Sequence, residues 1–418
     1  MLNLYFIARC RLSRGMRIVD VCAFYAPAGG GVRTYVDAKL KWASRNGHEV
    51  IILAPGERDE TVKRGPGAFV VTIPSPTLPL DRRYRYFDDE AAIHRVLDAW
   101  QPDHVEASSP WSSASMVGRW QGPASRSLIM HCDPLATYAY RWMGGVLPIQ
   151  AIDRVFGRFW QHLRRLDDMY DLVVCANRQL SRRLDRGGIE KTETIPMGVE
   201  PGIFSPSRRS SQLRDAILAS MGLEPDAVLL LGLGRFASEK RWEMVLRAAA
   251  RVPNVGLLLV GDGTRRPQIE RMARRAGNVQ VAGPISDRFE LSRLLASADA
   301  LVHGCEAETF CMAAAEARAS GIPLIVPDRG AAVDHSVRRA SVVYRSASEE
   351  SLERAIWKFV ERGPELQRMR ATLNSDVRTM DEHFVQLVER YGRLRSTAAV
   401  AASPDFDEPV ARLASSLG

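Results

Sequence analysis

Arg235 and Lys240 stand in one short loop, Gly234-Arg235-Phe236-Ala237-Ser238-Glu239-Lys240-Arg241, just after an apolar run that ends at Gly232. Arginine offers a planar fork to a phosphate, lysine offers a compact charge, and a helix opening after such a loop adds unpaired backbone N–H groups. The loop reads as an anion clamp, with two solvated cations as its plain alternative. Farther along, Glu306-Ala307-Glu308-Thr309-Phe310-Cys311 leads into a helical stretch through Met312 and Ala313 to Glu316. With a helix starting near Thr309, Glu316 lies about two turns in, so Glu308 and Glu316 project along one edge of a cleft and the first-turn amides stay free. Carboxylates accept hydroxyl hydrogens, which suits a polyhydroxyl ligand whose diphosphate rests on the helix end. For two isolated glutamates, complementing the helix dipole is the simpler account.

Such residues need rigid elements to carry them. Arg17 to Cys22 reads as a buried strand, followed by Gly29-Gly30-Gly31, a helix with Val32, Tyr35, Val36 and Leu40 on one face, and a strand at Glu49 to Leu53. Strand, glycine loop, helix, strand demands a parallel pair with a right-handed crossover. The rhythm continues with strands at Phe69 to Ile73, His104 to Glu106, Ser127 to His131 and Asp171 to Cys175, and a helix at Asp88 to Trp100. A breaker-rich segment, Ile195 to Gly202, precedes a second set of strands at Ala227 to Gly232, Val255 to Val260, Val279 to Val281, Ala300 to His303 and Leu324 to Val326. The expected fold class is α/β: two Rossmann-like, doubly wound parallel-sheet domains facing a central cleft, where open sheets bind ligands beyond their strand ends. The boundaries expected are an appendage over 1–15, an amino-terminal domain over 16–200, a carboxy-terminal domain over 201–372, a final helix over 373–397 and a disordered tail over 398–418.

Bulk properties agree with this division. A chain of 418 residues exceeds one ordinary core, and 46% hydrophobic with 25% charged residues is the balance of a soluble globular protein. The six cysteines are scattered without a C-x-x-C pair, which reads as reduced cytoplasmic thiols. The net charge of +8 is moderate for this length, and the basic residues do not interleave with aromatics in one segment, so nucleic acid is not an expected partner. No run approaches the ~20 apolar residues needed to cross a bilayer. Ile152, Phe156, Phe159, Trp160, Leu163 and Leu166 form one helical stripe with Arg154, Arg158, Arg164 and Arg165 elsewhere around it. That pattern suits a helix lying on anionic lipid at the inner face of the membrane and equally a helix packed on a sheet; packing is the expected use. The one Asp-x-Asp, Asp405-Phe406-Asp407, falls in the tail, so no metal and no other cofactor is expected.

Taken together, Gly234-Arg235 to Lys240, Gly261-Asp262-Gly263, Gly283, and Glu306 to Glu316 followed by Ala319-Ser320-Gly321-Ile322-Pro323 resemble the retaining group 1 glycosyltransferases, family 4, of GT-B fold. Gly29-Gly30-Gly31-Val32 and Ile195-Pro196-Met197-Gly198-Val199-Glu200 with Phe204 resemble that family's glycine loop and inter-domain segment, and the likeness runs in order from about residue 16 to 395. The resemblance implies that Arg235 and Lys240 neutralise the donor diphosphate, Glu308 contacts the transferred sugar, Glu316 holds the ribose and His131 lies beside the sugar. It further implies donor contacts from Gly30, Gly31, Gly234, Thr309, Phe310 and Cys311. The implied partners are a GDP- or UDP-hexose donor and a glycan, lipid-linked or small-molecule acceptor. Thr309 and Cys311 stand where the family usually has glycine, and Met197 where asparagine is usual. A nucleotide-sugar epimerase of the same architecture and a non-catalytic sugar-nucleotide-binding relative are the alternatives.

Overall fold

The computed structural model describes residues 15–26, 30–79, 84–133, 135, 149–362, 365 and 377–401. Most of the amino-terminal appendage, Gly29, the 372/373 boundary and the tail from 402 with Asp405 and Asp407 lie outside these residues.

The first sheet holds β1 (Arg17–Cys22), β2 (Glu49–Gly56), β3 (Glu60–Gly65), β4 (Ala68–Pro74), β5 (His104–Ser108), β6 (Ser125–Met130), β7 (Leu172–Cys175) and β8 (Thr192–Thr194). Their order is β3-β4-β2-β1-β5-β6-β7-β8. All neighbours run parallel except β3, which pairs antiparallel with β4 at the edge. Strands β1, β2 and β5 are almost wholly buried, as near-continuous apolar runs covered by helices on both faces should be. Helix α1 (Gly31–Asn46) follows β1 and lays Tyr35, Val36 and Leu40 on the sheet, ending on Gly47 in the left-handed region.

The expected single helix across Ile152 to Leu166 is two, α2 (Ile149–Val155) and α3 (Gly157–Met169), broken at Phe156. Ile152, Trp160, Leu163 and Leu166 are buried in the core of this domain, while Arg158, Arg164 and Arg165 face solvent. The apolar stripe is therefore used up in packing. Among the described residues no helix is long and apolar enough to cross a membrane.

The second sheet contains β9 (Val228–Leu233), β10 (Val255–Val260), β11 (Val279–Ala282), β12 (Ala300–Val302), β13 (Leu324–Pro327) and β14 (Ser341–Tyr344), ordered β11-β10-β9-β12-β13-β14 and parallel throughout. The order reverses between β9 and β12, which places the ligand crevice beyond their carboxyl ends, where the clamp loop and the glutamate loop both lie. The chain crosses between the sheets twice, and the crossings touch. Val199 N donates to Arg378 O at 2.9 Å and Met380 N to Val199 O at 2.8 Å. A Cβ at Gly198 would stand 2.2 Å from the Thr379 carbonyl carbon, so only glycine lets the two strands run this close. The final helix, α4 (Met380–Ala401), then lies on the first sheet, burying Phe384, Leu387 and Tyr391 against Ile18, Tyr35 and Trp42.

Candidate active site

The loop after β9 is held from below. Trp242 is fully buried and donates its indole N–H to Arg235 O at 2.9 Å, while Phe236 N donates to Asp262 O at 2.7 Å, joining the loops that leave β9 and β10. A Cβ on Gly261 would lie 2.0 Å from Gly234 O, which explains the glycine at 261. On this platform Lys240 closes a short 3-10 turn and its ammonium pairs with the Glu308 carboxylate from the loop after β12. Next to it, Arg241 holds Glu306 through Nε–Oε2 at 2.8 Å and Nε–Oε1 at 3.1 Å. Two adjacent cations of one loop thus meet two acids of the other. Arg235 stands apart: it bonds Glu239 Oε1 at 2.8 Å within its own loop and keeps nearly half of its side chain exposed.

The electrostatics follow from burial and pairing. Desolvation works against the Lys240 ammonium, yet the charge and hydrogen bond of Glu308 together with the nearby cysteine sulfurs outweigh it and hold Lys240 above the usual lysine range. Burial pushes the Glu308 carboxyl up, and Lys240 and His303 together more than reverse this, leaving it well below the usual carboxylate range. Both partners are ionised at any working pH. His303, wholly buried, brings Nε2 to 3.2 Å of Glu308 Oε1 without hydrogen-bond alignment. The ligating atoms of His303, Glu308 and Cys311 lie within 4.8 Å of one another, a spacing that a cation could bridge, but the Lys240 ammonium already sits on the carboxylate of that trio.

The helix expected from Thr309 begins at Met312 and runs to Ala319, so Glu316 is about one turn in rather than two. Its first turn carries no acidic residue and no side-chain cap, leaving positive backbone ends available to an anion. Cys311 precedes it at φ 64°, in the left-handed region. This is the physical reason a glycine suits the position. The thiol is buried and pushed up, above the usual cysteine range, so it is not an activated thiolate. Cys311→Gly should therefore be more stable than Cys311→Ala by about 1 kcal/mol, because both lose the thiol and only glycine releases the backbone strain. Denaturant midpoints of the two variants check this; the ordinary order, alanine above glycine, would contradict it.

Glu316 is buried and bonded by the Arg288 guanidinium, which also reaches Glu200 Oε2 at 3.3 Å and stacks on Phe204 at 4.9 Å. Burial raises the Glu316 carboxyl and Arg288 opposes that rise. The inter-domain segment thus braces the residue that the resemblance assigns to the ribose.

From the other domain come Gly30 and Gly31 at the start of α1, where no side chain caps the helix and a Cβ at either would meet nothing within 4 Å. His131 follows β6. Burial pushes its imidazole down to about 4 against the pull of Asp20, so the ring is neutral near pH 7. The two domains touch at this point. Thr309 Oγ1 donates to His131 O at 2.7 Å, and Asn177 Nδ2 donates to Thr309 O at 2.5 Å. Thr309 is therefore a bridge between domains, a use its backbone amide alone did not suggest. Phe310 is buried beneath it, its carbonyl accepting from His335.

Beneath His131 lies a polar network that motif reading passes over. His131 Nε2 is 3.2 Å from Ser108 Oγ, Ser108 donates to Asp20 Oδ1 at 2.8 Å, and Lys39 from α1 bonds Asp20 Oδ2 at 2.9 Å and Glu106 Oε2 at 2.5 Å. Asp20 and Glu106 face each other in the register of β1 and β5, and all three charged groups are buried.

Two Rossmann-like domains meeting over a cation–carboxylate clamp and a bare helix end define a GT-B sugar-nucleotide transferase architecture. Residues 214–374 match the family described as glycosyl transferases group 1, and residues 29–202 match glycosyltransferase family 4. The chain is 32% identical over 359 residues to a GDP-mannose-dependent alpha-(1-6)-phosphatidylinositol dimannoside mannosyltransferase of Mycobacterium tuberculosis, covering 85% of this chain and 90% of that one. It is 27% identical to a GDP-mannose-dependent alpha-mannosyltransferase of Corynebacterium glutamicum, over 77% of this chain and 74% of the relative. Among solved structures, a sucrose-phosphate synthase from Thermosynechococcus elongatus superposes with a TM-score of 0.70 at 18% identity, covering 91% of this chain and all of that one. The catalytic domain of Arabidopsis thaliana starch synthase IV, bound to ADP and acarbose, gives 0.67 at 14% identity, covering 92% of this chain and 100% of that one. The protein belongs to the group 1, family 4 glycosyltransferases and is a nucleotide-sugar-dependent glycosyltransferase.

Proposed function

We propose that this enzyme transfers mannose from GDP-mannose, with retention, to the glycan part of an anionic glycolipid. The observation that carries the reading is the Lys240–Glu308 pair beside the uncapped helix at Met312. A fixed positive charge suited to a departing diphosphate there adjoins an ionised carboxylate suited to sugar hydroxyls, which supports the reading. The mannose and the lipid come from the relatives, two of which are mannosyltransferases using GDP-mannose.

In this mechanism the donor diphosphate lies on the first turn of the helix from Met312, with Arg235 and Lys240 taking up the charge that develops as the glycosidic bond breaks. Glu308 orients the mannose, Glu316 the ribose, and the open backbone at Gly30 and Gly31 approaches the phosphates from the facing domain. Neutral His131 stands beside the sugar as a hydrogen-bonding group. The acceptor hydroxyl attacks on the face the diphosphate leaves, and a phosphate oxygen receives its proton. Lys240, Arg235 and the helix end supply the positive charge that a metal would otherwise bring, so the reaction is assigned no metal and no cofactor. The site of action is the cytoplasmic side of a membrane, reached by peripheral contact.

A panel of nucleotide sugars tested for thermal stabilisation checks the donor. GDP-mannose at about a hundred times its dissociation constant should add roughly 2.7 kcal/mol, more than UDP-glucose, UDP-galactose or UDP-N-acetylglucosamine at the same concentration. A stronger response to a uridine donor would reject the GDP-mannose reading.

A further inference from the structure

A cavity of about 1510 Å³ lies between the domains, behind the Thr309–His131 bridge. Its charged lining is lopsided: eight arginines, Arg154, Arg164, Arg178, Arg182, Arg183, Arg186, Arg318 and Arg378, against Asp153 and Asp334. Some of these are committed, as when Arg164 Nη1 donates to Gly187 O at 2.8 Å and Arg183 pairs with Asp133. Others are not. Arg178, Arg182 and Arg186 recur every fourth residue along the helix Arg178–Arg186, so they form one stripe of like charge, an arrangement that opposes the helix it sits on. Among the described residues no carboxylate pairs with any of the three, nor with Arg318 across the cavity.

Guanidinium groups that carry no carboxylate partner are matched by a phosphate ester, whose oxygens fit their planar forks. The cavity shares a helix with the candidate donor site. Arg318 lies two residues beyond Glu316 on the same helix, about 200° around its axis, so that helix presents the ribose-side acid on one flank and a phosphate-seeking cation on the other. Phe310 and Asn177, which flank the bridge to His131, line the same space.

We propose that this cavity binds the phosphate ester of the acceptor, with Arg178 and Arg182 on one wall and Arg318 on the other. Assigning the phosphate to the acceptor rests on the reading of the chain as a glycolipid mannosyltransferase; the existence of the site does not. The cavity is large enough for a polyol headgroup beside the phosphate.

The test is calorimetric titration of the full chain, of the Arg178→Gln/Arg182→Gln variant and of Arg318→Gln. The probes are glycerophosphoinositol, inorganic phosphate, and phosphatidylcholine vesicles with and without phosphatidylinositol. Glycerophosphoinositol should bind the wild-type chain saturably and each variant about tenfold or more weakly. Parallel loss of binding to the phosphatidylinositol vesicles assigns a lipid headgroup, whereas a loss confined to inorganic phosphate assigns a free phosphate and overturns the acceptor role. Absent saturable binding, or equal binding by wild type and variants, overturns the site. GDP-mannose is titrated in parallel: unchanged donor binding in the variants shows them folded, and failure of the wild type to bind it counts against the mannosyltransferase reading alone.

Discussion

Lys240→Ala should lower turnover by about a hundredfold or more with the chain still folded. The ammonium is pinned against Glu308 and held above its usual range by that charge, so it is present as a cation throughout the working pH range. A positioned positive group acting on a departing phosphate typically contributes ~3 kcal/mol in the transition state, which is the hundredfold. Removing it has a second consequence. Glu308 loses the partner that keeps it ionised, and burial then favours its protonated form, which changes how it meets sugar hydroxyls. The effect should therefore appear in kcat as well as in KM. Single-turnover assays with GDP-mannose separate the two, and near-normal turnover would remove Lys240 from the mechanism.

Lys39→Met should cost about 3 to 5 kcal/mol of stability, because it strips the one cation from between two buried carboxylates. Even with Lys39 in place, burial and the nearby Asp20 charge push the Glu106 carboxyl above its ordinary value. Without it, Glu106 takes up a proton still more readily in the folded chain than in the unfolded one. A raised folded-state pKa stabilises below the unfolded pKa and is lost as pH rises; wild-type Glu106 is itself raised to about 7, so the penalty of the variant should deepen as pH rises above about 7. Denaturant unfolding at several pH values measures this. A loss below about 1 kcal/mol, or one that shrinks as pH rises, would contradict the assignment of Lys39 as the neutralising group. Asp20 also fixes Ser108, which meets His131, so the same variant should disturb the cleft histidine.

That network shows where sequence reading stopped. Strands β1 and β5 were legible as apolar runs, and each carries a single acid in its middle. Pairing puts Asp20 opposite Glu106, and like charges facing each other in a sheet require a cation. The signal was present in the two strands, but the register that makes it meaningful is long-range. The same holds at the clamp. Lys240 and Glu308 were each singled out, yet their direct pairing across 68 positions, and the parallel Arg241–Glu306 pair, depend on two loops meeting beyond neighbouring strands. Thr309 stood out only as a departure from glycine; its bond to His131 O needs both domains in place.

Some of the elements missed are those whose pattern is weak. Strand β3, Glu-Thr-Val-Lys-Arg-Gly, is exposed along nearly its whole length and has no apolar face to announce it, while β8 has three residues, all half-buried. The break at Phe156 leaves the apolar stripe in phase on both sides, so periodicity read one helix where there are two. By contrast Cys311 was marked by resemblance as a place for glycine, and its left-handed backbone supplies the reason.

The most direct measurement is the nuclear magnetic resonance spectrum of the product formed when the enzyme is given GDP-mannose and a mannosylated phosphatidylinositol acceptor. The account predicts an α-linked mannosyl product, with GDP released only when acceptor is present. A β-linked product would contradict retention, and an epimerised nucleotide sugar formed without acceptor would contradict transfer itself.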